Sequence, residues 1–188
     1  LVLMKSFDLI NWERTNIRFN ELSAAWQEIG CAWAPETIYD ETTGRMMIYL
    51  TMRHRNEPNK LYYCYVNDEF NKIETLPKPL FQYPDENKSA IDGDITKFGD
   101  KYILSYVAHD VNGGIKMAYS SSPTGPWHFD TRWIDFEPKA CEAPHVFKRI
   151  GENKYVLMYD VYSINPHNFG FIETSDFDTF NNLGRFNE

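Results

Sequence analysis

Acidic residues recur at three points of the sequence that share one local plan. The segments Trp33–Glu36, Ile91–Asp94 and Cys141–His145 read WAPE, IDGD and CEAPH, and each leads into a short run of strand-forming residues. Carboxylates gathered in one pocket raise each other's pKa and can divide the work of a general acid and a general base. The candidate functional residues are Trp33, Glu36, Asp92, Asp94, Glu142 and His145.

A carboxylate placed before a strand also has a purely structural interpretation. Asp and Glu at such positions commonly complete a turn or pair with a nearby cation. Here, however, the acids fall at equivalent points of a repeated pattern, which favours a shared functional role. Whether the acids lie close together in the folded chain depends on the arrangement of the repeated elements.

The repeat consists of paired strands joined by a glycine turn. Residues 34–52, 91–107 and 142–161 each run from a polar or acidic start through a short strand and a glycine turn into an apolar strand. A continuous apolar run of this length, rich in aromatic residues, is typical of a strand buried on both faces. No segment keeps a 3.6-residue apolar period over ten or more positions, so we expect little helix.

A second element, a short polar turn leading to an aromatic or apolar residue, recurs along the chain. It reads SFDLINW at 6–12, NDEFNKI at 67–73, SSPTGPW at 121–127 and SDFDTFN at 175–181. With the paired strands, it gives four short strands per unit, and four-stranded antiparallel sheets at this period describe the blades of a β-propeller. We therefore predict an all-β propeller in which the first strand of each blade lines a central channel with the acids at its mouth.

The predicted domain is a single partial propeller over the whole chain. Residues 31–83, 90–137 and 141–186 would form the second, third and fourth blades, and residues 1–14 the end of the first. Three and a half blades cannot close a propeller, and open sheet edges are a liability. We expect a fragment of a longer protein; the alternative is that another chain supplies the missing blades through self-association.

Composition limits the classes of partner. The chain has 188 residues, of which 43% are hydrophobic and 16% aromatic, enough for a β-rich core. Its net charge of −8 and lack of a basic cluster argue against nucleic acid as a partner. No apolar run approaches the roughly 18 residues of a membrane span. The three cysteines are odd in number and lack metal-type spacing, so we expect buried thiols.

Several segments together resemble glycoside hydrolase family 43, whose five-bladed propellers hydrolyse arabinosides and xylosides. The resemblance covers essentially the whole chain and rests on SFDLINWE, AWAPETIYDETTG, IDGDITKFGDKYIL, SSPTGPW and EAPHVFKRIGENKYVL. The chain departs from the family pattern at Gly93, where the family usually has Pro, and at Ala143, where it usually has Gly.

The resemblance implies an inverting mechanism with three carboxylates. Glu142 would be the general acid, and Asp92 the carboxylate that raises its pKa and orients it. Asp94 is an alternative to Asp92, because residues i and i+2 share a face in a strand. The general base would be an Asp on a strand upstream of Leu1. Asp8 would not replace it, since Asp8 lies in an outer turn.

The resemblance also implies an oligo- or polysaccharide substrate. Trp33 would stack on a sugar ring or else pack between blades, and His145 would line the channel mouth or be a buried polar residue. Glu36 and Asp94 would bind substrate hydroxyls. We assign no metal ligand and expect no cofactor, although the full-length parent could bind calcium. Location is left open, with the resemblance favouring a periplasmic or extracellular protein.

Three other functions remain open. The chain could be a non-catalytic carbohydrate-binding propeller. It could also belong with the retaining fructan-cleaving hydrolases, whose acid lies in a Glu-Cys-Pro segment, or with five-bladed glycoside phosphorylases. The IDGD and SSPTGPW segments favour family 43 over the fructan enzymes, which usually show Arg-Asp-Pro in the corresponding blade. Arabinose and xylose, and exo and endo cleavage, are not distinguished.

Overall fold

The computed structural model describes residues 1–110, 113–138 and 140–186, and these are almost entirely β-structure. The described residues form fourteen strands, arranged as three four-stranded antiparallel sheets and one two-stranded sheet. Two single-turn 3₁₀ helices, Phe19–Glu21 and Ala24–Trp26, are the helices found in this part of the chain. The all-β prediction with little helix is confirmed.

Each sheet is built from consecutive strands in sequence order. Sheet I contains β1 (Val2–Lys5) and β2 (Glu13–Asn16). Sheet II contains β3 (Ile29–Asp40), β4 (Arg45–His54), β5 (Lys60–Tyr65) and β6 (Lys78–Phe81). Sheet III contains β7 (Ala90–Phe98), β8 (Lys101–Ala108), β9 (Gly114–Ser120) and β10 (His128–Phe129). Sheet IV contains β11 (Glu142–Lys148), β12 (Tyr155–Val161), β13 (Asn168–Thr174) and β14 (Asn181–Arg185).

The predicted domain boundaries stay predictions, and the strands differ from them in small ways. Strand β2 ends two residues beyond the predicted end at 14, and β3 begins two residues before 31. Residues 187 and 188, at the end of the predicted domain, lie outside the described residues.

Glycine turns join the first two strands of each four-stranded sheet. Gly44, Gly99 and Gly151 have φ values of 66°, 61° and 79°. This left-handed region carries no steric cost for glycine, which lacks a Cβ atom. The glycines recognised in the sequence repeat therefore close the three hairpins that present the acids.

The second strand of each four-stranded sheet is the most buried, as its two-sided apolar pattern predicts. In β4, for example, Met47–Leu50 are at most 1% exposed. One apolar cluster, including Tyr49 and Tyr106, fills the space between sheets II and III. A second, including Ile103 and Leu157, fills the space between sheets III and IV. The sheets therefore pack face to face.

The first strands of the four-stranded sheets lie next to one another. Strand β7 packs against β3 and β4 of sheet II on one side and against β11 of sheet IV on the other. Such an arrangement of sheets around an axis is that of propeller blades. It brings together the segments of β3, β7 and β11 that carry the candidate residues.

All three cysteines, Cys31, Cys64 and Cys141, are buried free thiols, as predicted. Burial raises the pKa of Cys64 to about 12, which makes its thiolate scarce. Among the described residues, no helix combines the length and hydrophobicity needed to cross a bilayer.

Candidate functional site

The first strand of each four-stranded sheet contains the same kind of β-bulge. The register shifts occur within Trp33–Glu36 of β3, Ile91–Asp94 of β7 and Glu142–His145 of β11. The second residue of each bulge has positive φ, with values of 44°, 52° and 52° in chain order. These residues are Ala34, Asp92 and Ala143. Bulges change the direction of neighbouring side chains, so the three segments share a geometry that a regular strand would not give.

Side chains of β4 satisfy two backbone groups at the bulge in β7. The backbone N–H of Asp92 donates to Thr51 Oγ1 at 2.9 Å, and that of Ile95 donates to Tyr49 Oη at 2.9 Å. A buried N–H without a partner would be costly. Sheet II therefore fixes the conformation of the β7 segment that carries Asp92 and Asp94.

A side chain at Gly93, within this bulge, would displace the side chains of Leu61 and Leu104. A Cβ atom there would lie 2.6 Å from Leu61 Cδ1 and 3.1 Å from Leu104 Cδ1. The departure from the family's usual Pro at this position thus has a packing reason, since Leu61 of sheet II lies against the backbone of β7.

Asp92 contacts the strand that begins with Glu142. Asp92 Oδ2 accepts a hydrogen bond of 3.2 Å from the backbone N–H of Ala143, the residue that follows Glu142. Since Asp92 is itself held by Thr51, a chain of contacts runs from sheet II through sheet III to sheet IV. The structure therefore brings the predicted acid and its predicted partner together, although they are separated by fifty positions in sequence.

The surroundings of Glu142 favour its protonated form. Burial raises the pKa of Glu142 most, and the negative charges of Asp92 and Asp160 raise it further. Burial also raises the pKa of Asp92, while the hydrogen bond from Ala143 and the charge of His109 act in the opposite direction. Asp92 thus contributes to the raised pKa of Glu142, although burial is the larger cause.

The last residues of the three bulges form a second group. Glu36, Asp94 and His145 each place a ligand-type atom within 4.8 Å of the others. His145 Nδ1 lies 3.5 Å from Asp94 Oδ1 and 4.0 Å from Glu36 Oε1. The close approach of Asp94 raises the pKa of His145 most, and the charge of Glu36 adds to this. Burial, followed by the charge of Asp94, raises the pKa of Glu36.

This second group does not by itself make a calcium site. Calcium takes six to eight oxygen ligands, whereas two carboxylates and an imidazole supply fewer oxygens and one nitrogen. A protonated His145 between Glu36 and Asp94 instead offsets part of their charge. The group is therefore a cluster of polar side chains that can form hydrogen bonds.

The structure decides how Asp92 and Asp94 differ. In a regular strand they would share a face, but the bulge between Ile91 and Asp94 breaks this alternation. Asp92 contacts Ala143, whereas the buried Asp94 accepts a hydrogen bond of 2.9 Å from the backbone N–H of Val146. The two carboxylates thus hold different points of β11.

Trp33 and His145 are both open to solvent. The Trp33 side chain is 48% exposed, and the Arg53 guanidinium lies 5.8 Å from its ring centroid, so the ring is not buried between sheets. The His145 side chain is 49% exposed, which makes the buried-polar interpretation wrong. Asp8 lies apart from both groups and accepts hydrogen bonds from the backbone of Ile10 and Asn11, as a turn residue would.

Sequence reasoning missed two residues, Thr51 and Asp160. Thr51 lies opposite Trp33 in the β3–β4 register, and Asp160 lies opposite Glu142 in the β11–β12 register. Counting outward from the glycine turns would have located both, provided that the extra residue of each bulge had been included.

Comparison with known proteins shows the family to which the chain belongs. A family model described as a probable glycosyl hydrolase domain, related to glycoside hydrolase family 43, matches residues 1–187. A comparison with curated proteins finds no match.

Solved structures show where the same fold occurs. A thermostable family 43 glycoside hydrolase has a TM-score of 0.60 at 15% identity, over 81% of this chain and 58% of its own. An endo-arabinase from Bacteroides thetaiotaomicron has a TM-score of 0.60 at 15% identity, and the match covers 74% of this chain and 55% of the arabinase. A fructofuranosidase from Schwanniomyces occidentalis has a TM-score of 0.67 at 13% identity, and the match covers 82% of this chain and 34% of the fructofuranosidase. At these identities the likeness shows the fold, and the predicted propeller class is confirmed; the chain spans less than two thirds of each of these structures.

Proposed function

The chain belongs to the glycosyl hydrolase 43-related family. We propose that it supplies the general acid, and the carboxylate that supports this acid, of an inverting glycosidase acting on arabinosides or xylosides of plant polysaccharides. Glu142 is the general acid, and Asp92 is the carboxylate that orients it and favours its protonation. The contact between Asp92 Oδ2 and the N–H of Ala143 carries the proposal, because it holds Asp92 against the residue that follows Glu142.

The proposed reaction begins with proton transfer from Glu142 to the glycosidic oxygen. The bond from the anomeric carbon to that oxygen breaks, and water attacks the opposite face of the ring while a general base takes its proton. The acid must hold a proton near neutral pH, and burial with two nearby carboxylates raises the pKa of Glu142 in that direction.

We assign no general base among the described residues. An inverting pair needs its two carboxyl groups about 6.5–9.5 Å apart to admit the water. Asp94 is engaged with Val146 and His145, so we assign it to positioning and substrate contact rather than to activation of water.

The remaining candidates form the proposed substrate contacts. Glu36, Asp94 and His145 present oxygen and nitrogen atoms that can bind sugar hydroxyls. The exposed ring of Trp33 provides an apolar surface on which a sugar ring can stack. The partner is therefore an oligo- or polysaccharide.

A retaining fructan-type hydrolase is the second candidate, because the fold likeness extends to a fructofuranosidase. The stereochemistry of the product separates the two. We expect proton NMR of the first product formed to show an inverted anomer, and a retained anomer would favour the fructan-type mechanism.

The test uses the full-length protein with arabino- and xylo-oligosaccharides and the corresponding nitrophenyl glycosides. Glu142→Gln should lower kcat on the oligosaccharides by roughly 10²–10⁴-fold, the usual contribution of a general acid, and lower it far less on nitrophenyl glycosides, whose leaving group needs little protonation. Glu152→Gln is the control, since it removes an exposed acid at the far end of the same hairpin. Full activity of Glu142→Gln on an oligosaccharide would contradict the acid assignment, and an inactive wild-type protein would favour a carbohydrate-binding role.

A further inference from the structure

The β11–β12 hairpin places two carboxylates directly opposite each other. Glu142 at the start of β11 is paired in register with Asp160 near the end of β12. Residues opposite one another in an antiparallel pair have Cβ atoms about 4.5–5.5 Å apart, and like charges at such positions destabilise a sheet. When both carboxyl groups are ionised, the pair therefore works against the stability of the hairpin that presents the candidate acid.

Neither of the two equivalent hairpins contains such a pair. The residue opposite the first bulge position is Thr51 in sheet II, facing Trp33, and Val107 in sheet III, facing Ile91. The like-charged arrangement is thus not required by the hairpin itself. Among the three described hairpins, it occurs in the one that carries Glu142.

We propose that Asp160 is a positioning residue whose negative charge keeps the proton on Glu142 until the proton is transferred to the leaving group. The catalytic meaning of this inference rests on the proposed function. Asp160 and Asp92 would then act on Glu142 in different ways. Asp92 fixes the backbone through Ala143, whereas Asp160 acts through its charge from the neighbouring strand.

The ionisable groups that interact with Glu142 belong to β7, to β12 and to the residues next to the two strands of its hairpin. Asp92 of β7 and Asp160 of β12 both raise its pKa after burial has done so. The Tyr162 hydroxyl and the Cys141 thiol also interact electrostatically with Glu142, and both have raised pKa values, mainly through burial, which favours their neutral forms. Among the described residues no Lys, Arg or His pairs with Asp160, so no cation offsets its charge.

The chemical consequence concerns the ionised product of proton transfer. When Glu142 gives its proton to the glycosidic oxygen, it becomes a carboxylate between two others. The repulsion from Asp160 and Asp92 makes the ionised state of Glu142 less favourable, so at a pH where both neighbours are charged a larger fraction of Glu142 carries the proton that the leaving group needs. Removing Asp160 should therefore let Glu142 lose its proton at lower pH.

The experiment measures Glu142 directly in the full-length protein labelled with ¹³C at glutamate side-chain carboxyls. Glu142→Gln assigns the resonance. We expect Asp160→Asn to move the titration midpoint of Glu142 to lower pH and to move the alkaline limb of kcat/KM in the same direction. Glu152→Gln removes the same charge at the other end of the hairpin and should leave both unchanged. Asp160→Thr, which copies Thr51 of sheet II, serves if the Asn variant does not fold.

The outcomes separate this inference from the proposed function. An unchanged Glu142 titration in Asp160→Asn or Asp160→Thr overturns the role of Asp160, whether or not the protein hydrolyses a glycoside. A shifted titration supports it, even in a protein without activity, in which case the glycosidase assignment alone fails. A shift of equal size in Glu152→Gln would reveal a general effect of net charge and would also overturn it.

Discussion

The buried carboxylate of Asp94 on β7 accepts a hydrogen bond of 2.9 Å from the backbone N–H of Val146 on β11. Together with the contact between Asp92 and Ala143, it fastens sheet III to sheet IV at both ends of the bulge that begins with Glu142. Side chains of the neighbouring sheet, as well as its own strand, therefore fix the position of the candidate acid.

The first prediction concerns this contact and stability. Asp94→Ala removes a charged acceptor and leaves the buried N–H of Val146 unpaired, so the free energy of unfolding should fall by about 2 kcal/mol. Asp94→Asn keeps an oxygen in place and should lose less. Urea denaturation of both variants measures the difference. Equal stability of Asp94→Ala and wild type would show that the contact contributes nothing.

The second prediction concerns the pH dependence of stability at His145. Asp94 and Glu36 raise the pKa of His145 above its ordinary value of 6.5, so folding is favoured when the imidazole is protonated. That contribution is fully present below about pH 6.5 and is lost as pH rises through the raised pKa. His145→Gln should therefore have a lower Tm than wild type at pH 6.

The measurement for His145 is a series of thermal unfolding curves between pH 6 and pH 9. The difference in Tm between wild type and His145→Gln should shrink as pH rises across this range. Because the side chain is half-exposed, solvent screening keeps the effect small. A difference in Tm that stays constant with pH would mean that His145 stabilises the fold by packing and not by charge.

The third prediction concerns the exposed ring of Trp33. Trp33→Ala should weaken binding of an arabino- or xylo-oligosaccharide by roughly 2–13-fold, the equivalent of about 0.5–1.5 kcal/mol for an aromatic contact. Its Tm should change little, because nearly half of the side chain lies in solvent. Isothermal titration calorimetry and a thermal scan measure the two effects.

Trp33→Phe provides the matched control for this experiment, because it keeps an aromatic face of smaller area. It should retain most of the binding. If Trp33→Ala instead lowered Tm and left the affinity unchanged, the ring would be a structural residue. Such a result would remove Trp33 from the proposed substrate contacts.

Much of the architecture was predictable from local patterns. Glycine turns such as Gly44 and Gly151 and apolar runs such as Met47–Leu50 act over a few residues, so they define hairpins and buried strands before any long-range contact is known. The same repeat located the segments that carry Glu36 and Glu142, although Glu36 lies within β3 and Glu142 at the start of β11. Hairpin register and strand ends were harder to predict from the sequence, because each bulge inserts a residue that local patterns do not reveal.

The sequence by itself determined an all-β chain of repeated four-stranded sheets and the residue types at their inner ends, because these follow from short-range periodicity and turn chemistry. Only the tertiary structure decided how those residues meet. Ala34, Asp92 and Ala143 adopt positive φ without being glycine, a conformation that local preference disfavours and that packing between sheets must maintain. The division of labour between Asp92 and Asp94 depends on hydrogen bonds to another sheet, about fifty positions away along the chain, where no local signal reaches.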